Sequence, residues 1–172
     1  MSTIIETERI ILRRFLIEDD EAVLELNSSA AVQKYTGDMI IDTIEEARAI
    51  ITDIWFKEYA AYGYGRFAVI FKPENKVIGF AGLKYLPAIE ETDIGFRILP
   101  AYWGKGVISE IAGELVTYGF DILGLNKIIA TVMPANIASI RVVEKAGLIY
   151  ERTSAYGSRG DVYNFYSISL KD

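Results

Sequence analysis

Gly104-Lys105-Gly106 stands where an extended pattern ends at Leu99-Pro100 and a helical one begins. Glycines at that junction let consecutive backbone amides converge without interference from Cβ atoms. Together with the helix dipole, those amides form a site for a phosphate or pyrophosphate, and Lys105 adds charge at its rim. The same spacing also suits a tight strand-to-helix turn that binds nothing. Neither common nucleotide fingerprint is present: no third glycine follows Gly106 three residues on, and no Gly-Lys-Ser/Thr occurs.

Two further groups have the chemistry of a site. Alternation over Glu91–Leu99 puts Glu91, Asp93, Gly95 and Arg97 on one face of a strand and Thr92, Ile94, Phe96 and Ile98 on the other. One face packs, and the polar one is suited to line a cleft. Farther on, Asn136 is a good helix N-cap and Ser139 follows three residues later on the same side. Read plainly, that pair is a cap and a small packed residue. The chain has no histidine and no cysteine. Acid–base work therefore falls to carboxylates, Tyr, Lys, Ser or water, and thiolate nucleophiles and thiolate metal ligands are excluded.

The elements that must position these groups follow from periodicity. Glu8–Phe15 reads as a strand, and Glu18–Tyr35 as helix in one or two pieces. Thr43-Ile44-Glu45-Glu46 is a capping box opening a helix, with Ala47, Ile50, Ile51, Ile54 and Trp55 at helical spacing, that ends before Gly63 and Gly65. Phe67–Phe71 and Val77–Leu83 form a hairpin about Pro73–Lys76. Strand Glu91–Leu99 stops at Pro100, and a helix over Lys105–Leu123 carries a buried stripe of Ile111, Leu115, Tyr118 and Ile122. Lys127–Met133 is a strand, Asn136–Ala146 a helix closed at Gly147, and Leu148–Leu170 two strands joined at Gly157-Ser158-Arg159-Gly160. The order, β-α-α-β-β-β-α-β-α-β-β, is that of an α/β (α+β) chain with a mixed sheet of about seven strands.

Composition narrows the function classes. The 172 residues are 51% apolar and 24% charged, which fits one folded domain over residues 1–172. The net charge of −6 speaks against nucleic acid and suits steering of a cationic amine. No apolar run reaches the ~18 residues of a membrane span, and Met1–Glu6 lacks the features of a signal peptide, so a cytoplasmic protein is expected. The acids do not cluster in ligand spacing, so no metal is expected.

Four segments in order resemble the GNAT superfamily, and more closely its RimJ/RimL-like branch. They are Thr7-Glu8-Arg9-Ile10-Ile11-Leu12-Arg13, Asp93-Ile94-Gly95-Phe96-Arg97-Ile98-Leu99, Tyr102-Trp103-Gly104-Lys105-Gly106, and the run from Asn136-Ile137-Ala138-Ser139 to Ala146-Gly147-Leu148. The likeness spans nearly the whole chain. It implies a mostly antiparallel central sheet splayed in the middle, with helices on both faces. It also implies acetyl-CoA as donor, with pantetheine along Ile98 and Leu99, the pyrophosphate on amides of Gly104, Lys105, Gly106, Val107, Ile108 and Ser109, and Trp103 among the donor-binding residues. Asn136 would contact the donor's arm and Ser139 the thioester sulfur. Two departures stand out: Ala101 replaces a common Gln or Arg, and Val143 occupies the place of a tyrosine acid, which leaves Ser139 as the proton donor.

The implied activity is N-acetylation of a primary amine, on a protein N-terminus or a small molecule, by direct attack in a ternary complex. The amine must first lose a proton, and Asp93, at a position where the family often carries an acid, is the expected base with Glu91 in reserve. A backbone amide near Leu99, freed where the strands part, would polarise the carbonyl. Tyr35, Trp55, Tyr59, Tyr62 and Tyr64 either line the acceptor pocket or belong to the core. Two other readings use the same features: a non-catalytic acyl-CoA-binding or sensor domain, and a nucleotide-binding regulatory domain, against which the absent third glycine counts. The aromatic strand Val162–Ile168 is expected to pair at an edge, which would suit a homodimer.

Overall fold

The computed structural model describes residues 2–157 and 160–170. Ser158 and Arg159, inside the expected turn, lie outside the described residues, as do Met1, Lys171 and Asp172. Among the described residues eight strands form one sheet: β1 (Thr3–Glu6), β2 (Ile10–Arg13), β3 (Arg66–Phe71), β4 (Lys76–Leu86), β5 (Glu91–Ile98), β6 (Lys127–Val132), β7 (Ile149–Tyr156) and β8 (Asp161–Ser169). Their order is β1-β2-β3-β4-β5-β6-β8-β7. The strand beyond the expected seven is β1, four residues too short to show alternation, paired to β2 across the turn at Thr7–Arg9.

Every neighbouring pair is antiparallel except β5 with β6, which run parallel and share a single register pair, Asp93 with Ile129. The sheet is therefore two antiparallel halves hinged at one point. The expected edge role of Val162–Ile168 is corrected: β8 lies between β6 and β7, and the outer strand is β7. A hairpin's second strand becomes interior when, as here, it returns along β6.

The helices are α1 (Asp20–Asn27), α2 (Ala30–Gln33), α3 (Ile44–Ala49), α4 (Phe56–Tyr62), α5 (Val107–Thr117) and α6 (Ile137–Lys145). Thr43 and Glu46 form the capping box that starts α3, and Gly63 ends α4 at φ 80°. A π-helical stretch, Ile50–Trp55, joins α3 to α4, and another, Tyr118–Ile122, ends α5. Each widens the turn and rotates the apolar stripe. That is why Ile54 and Ile122, expected on the buried faces, point to solvent, Ile122 at 71% exposure.

Helices cover both faces. On one, Trp55 stacks on Phe15 at 4.0 Å and meets Phe80 of β4 edge-on at 5.8 Å. On the other, the end of α5 lies so close that a Cβ on Gly119 would sit 2.7 Å from Ile128 and 2.9 Å from Leu83. Among the described residues no helix is long and apolar enough to cross a membrane.

Candidate active site

Beyond the Asp93–Ile129 pair the C-terminal halves of β5 and β6 diverge, because no further ladder joins them. The chain leaves β5 for α5 and β6 for α6, so both helix N-termini lie at the open end of the gap. A crevice outside the carboxyl ends of strands at a topological switch is where open α/β sheets bind ligands.

Asp93 closes the inner end of that gap. Its Oδ1 accepts from the backbone N–H of Thr131 on β6 at 3.1 Å, a hydrogen bond that a backbone carbonyl would take in a continuous ladder. Its Oδ2 accepts from Arg66 at 2.8 Å, and the same guanidinium reaches the carbonyls of Gly82 and Asp93. Gly95 makes room for it: a Cβ there would lie 2.4 Å from the arginine. Burial pushes the Asp93 carboxyl above the ordinary 3.8, against the pull of Arg66 and Thr131. Glu91 stands two residues back toward the closed end, paired with Lys127 at 2.8 Å.

The strand edge facing the gap belongs to Ile98. Leu99 donates its N–H to Ile78 on β4 at 2.8 Å, so of the amides near Leu99 expected to face the gap, that of Leu99 itself is paired into the sheet. Backbone groups alternate sides along an antiparallel strand, and the groups directed away from β4 are those of Ile98. Its carbonyl accepts from the Trp103 indole at 2.8 Å, which lays that half-exposed ring over the mouth of the gap.

Gly104 and Gly106 both have φ of +71°, the left-handed region in which a side chain is strained. Gly106 is the N-cap of α5, and among the described residues no side chain caps that helix. The first amide to find an acceptor within the helix is that of Glu110, on the Gly106 carbonyl at 3.1 Å. The amides of Val107, Ile108 and Ser109 precede it, held in place by the buried side chains of Val107 and Ile108. This uncapped row next to exposed loop residues fits a diphosphate. Lys105 folds its ammonium over the Tyr102 ring at 5.5 Å.

At the other helix, Asn136 caps α6 by accepting from Ser139 N–H at 3.3 Å. That bond uses the carboxamide oxygen and leaves the amide nitrogen as the donor Asn136 can offer. Ser139 is half-buried in the first turn. Gly147, at φ 96°, ends the helix, with Leu148 N–H returning to Val143.

Of the aromatic residues considered for the acceptor pocket, Trp55, Tyr59 and Tyr64 are core. Tyr59 holds the backbones of Phe15 and Arg66 together, and Tyr64 bonds Thr92. Tyr62 remains partly exposed against Tyr85. The polar face beside the gap is instead built by Arg66, Arg97 and Tyr156. Arg97 is held by Gln33 and by Asp38 of the loop before α3, and burial raises the Tyr156 hydroxyl, with the nearby Asp93 charge adding a smaller push in the same direction. Sequence reasoning had one pointer to these residues, the glycine at position 95 on an otherwise polar face.

A family model described as "Acetyltransferase (GNAT) domain" matches residues 9–149. The uncharacterized N-acetyltransferase p20 of Bacillus licheniformis is 33% identical over 166 residues, covering 92% of each chain. A GNAT-family acetyltransferase from Bacillus anthracis superposes with a TM-score of 0.82 at 30% identity, over 96% of this chain and 97% of that one. The spermidine N-acetyltransferase of Vibrio cholerae, solved with CoA and spermine, shares the fold at 20% identity, with a TM-score of 0.77 over 95% and 96% of the two chains.

Proposed function

We propose, from the premise that the chain belongs to the GNAT family and is an acetyltransferase, that it moves the acetyl group of acetyl-CoA directly to a primary amine. The observation that carries this reading is the gap between β5 and β6, joined at one residue pair and opening between two helix N-termini. The uncapped amides of Val107, Ile108 and Ser109 suit the donor's diphosphate, and the Ile98 edge suits its pantetheine arm.

In the proposed reaction the amine gives a proton to Asp93, directly or through a water, and its lone pair attacks the thioester carbon. The oxyanion is met by the Ile98 N–H. The C–N bond stands, the C–S bond breaks, and the proton that the new C–N nitrogen loses passes through the Ser139 hydroxyl to the leaving thiolate, so Ser139 ends as the hydroxyl it began. A thiol pKa of ~8.5 makes that last proton the least demanding. Of the two carboxyls, Asp93 is favoured over Glu91 because it lies at the gap and its raised affinity for protons suits a base. One observation favours a non-catalytic acyl-CoA-binding domain instead: both Asp93 oxygens are already held.

The acceptor is proposed as a small-molecule amine or a protein N-terminus. The net charge of −6 attracts cations, and the fold neighbour solved with spermine is named for a polyamine acceptor. The RimJ/RimL-like branch is supported by the Thr7–Arg13 and Asn136–Leu148 motifs. A homodimer paired at a sheet edge would use β1 or β7, the two outer strands. The test is incubation with acetyl-CoA and a panel of polyamines, amino sugars and peptides, following free thiol and product mass. Amine-dependent thiol release with an acetylated product supports transfer; donor binding without turnover on any amine points to the binding domain.

A further inference from the structure

The Thr7–Arg13 motif takes no part in the reaction above, yet its first half is built onto the glycine loop. Glu110, in the first turn of α5, is the junction. Its Oε1 accepts from Thr7 Oγ1 at 2.5 Å and from the Arg9 backbone N–H at 3.0 Å. Its Oε2 accepts from Arg9 Nε and lies 2.7 Å from Arg9 Nη2. The remaining terminal nitrogen of the same guanidinium donates to the Lys105 carbonyl at 3.0 Å. One planar side chain thus holds the helix through a carboxylate and the loop through a carbonyl, which the single ammonium of a lysine does not reproduce.

The carbonyl that Arg9 holds belongs to the same peptide as the Gly106 N–H. In a planar trans peptide these groups point in opposite directions. Drawing the Lys105 oxygen toward Arg9 therefore turns the Gly106 amide away from it. Gly106, on one side of this peptide, is in the left-handed region, where glycine leaves the peptide free to rotate unless something outside holds it. Arg9 lies beside Gly106 on the side opposite that amide, with its Nη2 3.8 Å from where a Cβ would stand.

We infer that Arg9, fixed by Glu110 and Thr7, is a positioning residue for the acyl donor: it orients the Lys105–Gly106 peptide so that the Gly106 amide faces the diphosphate. Arg9 acts through the backbone, not by touching the phosphates. The inference rests on reading the glycine loop as the donor's diphosphate site, and the experiment separates the two. Steady-state KM is measured for acetyl-CoA and for S-acetylpantetheine, which lacks the diphosphate, on the wild type, Arg9→Ala, Arg9→Lys and Glu110→Ala.

The expected result is an acetyl-CoA KM raised about tenfold in Arg9→Ala and Glu110→Ala, with the S-acetylpantetheine KM unchanged. Arg9→Lys recovers little, because charge alone does not hold the peptide. Equal weakening of both donors, unchanged values for both, or full rescue by Arg9→Lys would overturn the positioning role. A wild type that does not distinguish the two donors would instead overturn the diphosphate site itself. Should Arg9→Ala fail to fold, Thr7→Val, which removes one of the bonds fixing Glu110, is expected to give the same selective rise at smaller size.

Discussion

Asp93 carries two demands at once, joining the halves of the sheet and standing where a base is needed. The substitution that separates them is Asp93→Asn, because a carboxamide oxygen still accepts from Thr131 while basicity is lost. If Asp93 is the base, kcat falls about 10²–10⁴-fold and acetyl-CoA affinity holds. If it only joins the strands, kcat falls little. A base whose carboxyl is raised by burial works when ionised, so activity is present above its pKa and lost as pH falls through it. The acid limb of the kcat profile is accordingly expected above the ordinary 3.8 and absent in the Asn variant. Ser139→Ala should cost about tenfold or less, since a thiolate needs little help to leave. The sequence places Asp93 on a polar face, but not its partners. Arg66 lies 27 residues away and Thr131 across the gap, and no local periodicity links them.

At the scale of elements, the loop-to-helix junctions carry two predictions. The Trp103 indole occupies the Ile98 carbonyl that the donor's arm is proposed to use, whereas Trp55 is buried. Binding of CoA should therefore change tryptophan emission in the wild type and leave it unchanged in Trp103→Phe. Partial burial would raise the Glu110 carboxyl, but the bonds from Thr7 and Arg9 outweigh it and hold it below the ordinary 4.5. A lowered carboxyl contributes stability that is present above 4.5 and lost as pH falls through the folded value. The melting advantage of the wild type over Glu110→Gln should thus be constant above pH 4.5 and shrink below it. These junctions were legible because glycine spacing and caps are local signals. The π-helical turns were not: the apolar residues at 50, 51, 54 and 55 fit an ordinary helix equally well, and only packing against Phe15 and Phe80 selects the wider turn.

For the whole molecule, the gap depends on two half-sheets held apart beneath α5. Gly119 lets that helix end settle on Leu83 and Ile128, one from each half. Gly119→Val should cost about 1–3 kcal/mol in denaturant unfolding, with the m-value unchanged. Strand order within each hairpin was readable from alternation and turns. The lone parallel contact was not, since β5 and β6 are separated by a helix and share one residue pair. Family likeness, carried by motifs in order, supplied the splay that periodicity lacked.

The gap and its glycine loop are proposed to bind acetyl-CoA. Thermal unfolding with acetyl-CoA, CoA, ATP and NAD, each in large excess, tests it most directly. A ligand at about 100 times its dissociation constant adds ~2.7 kcal/mol, roughly 5–10 °C for a chain of this size. That shift is expected with acetyl-CoA and CoA and none with ATP or NAD. A shift with ATP or NAD alone, or with none of the four, would contradict it.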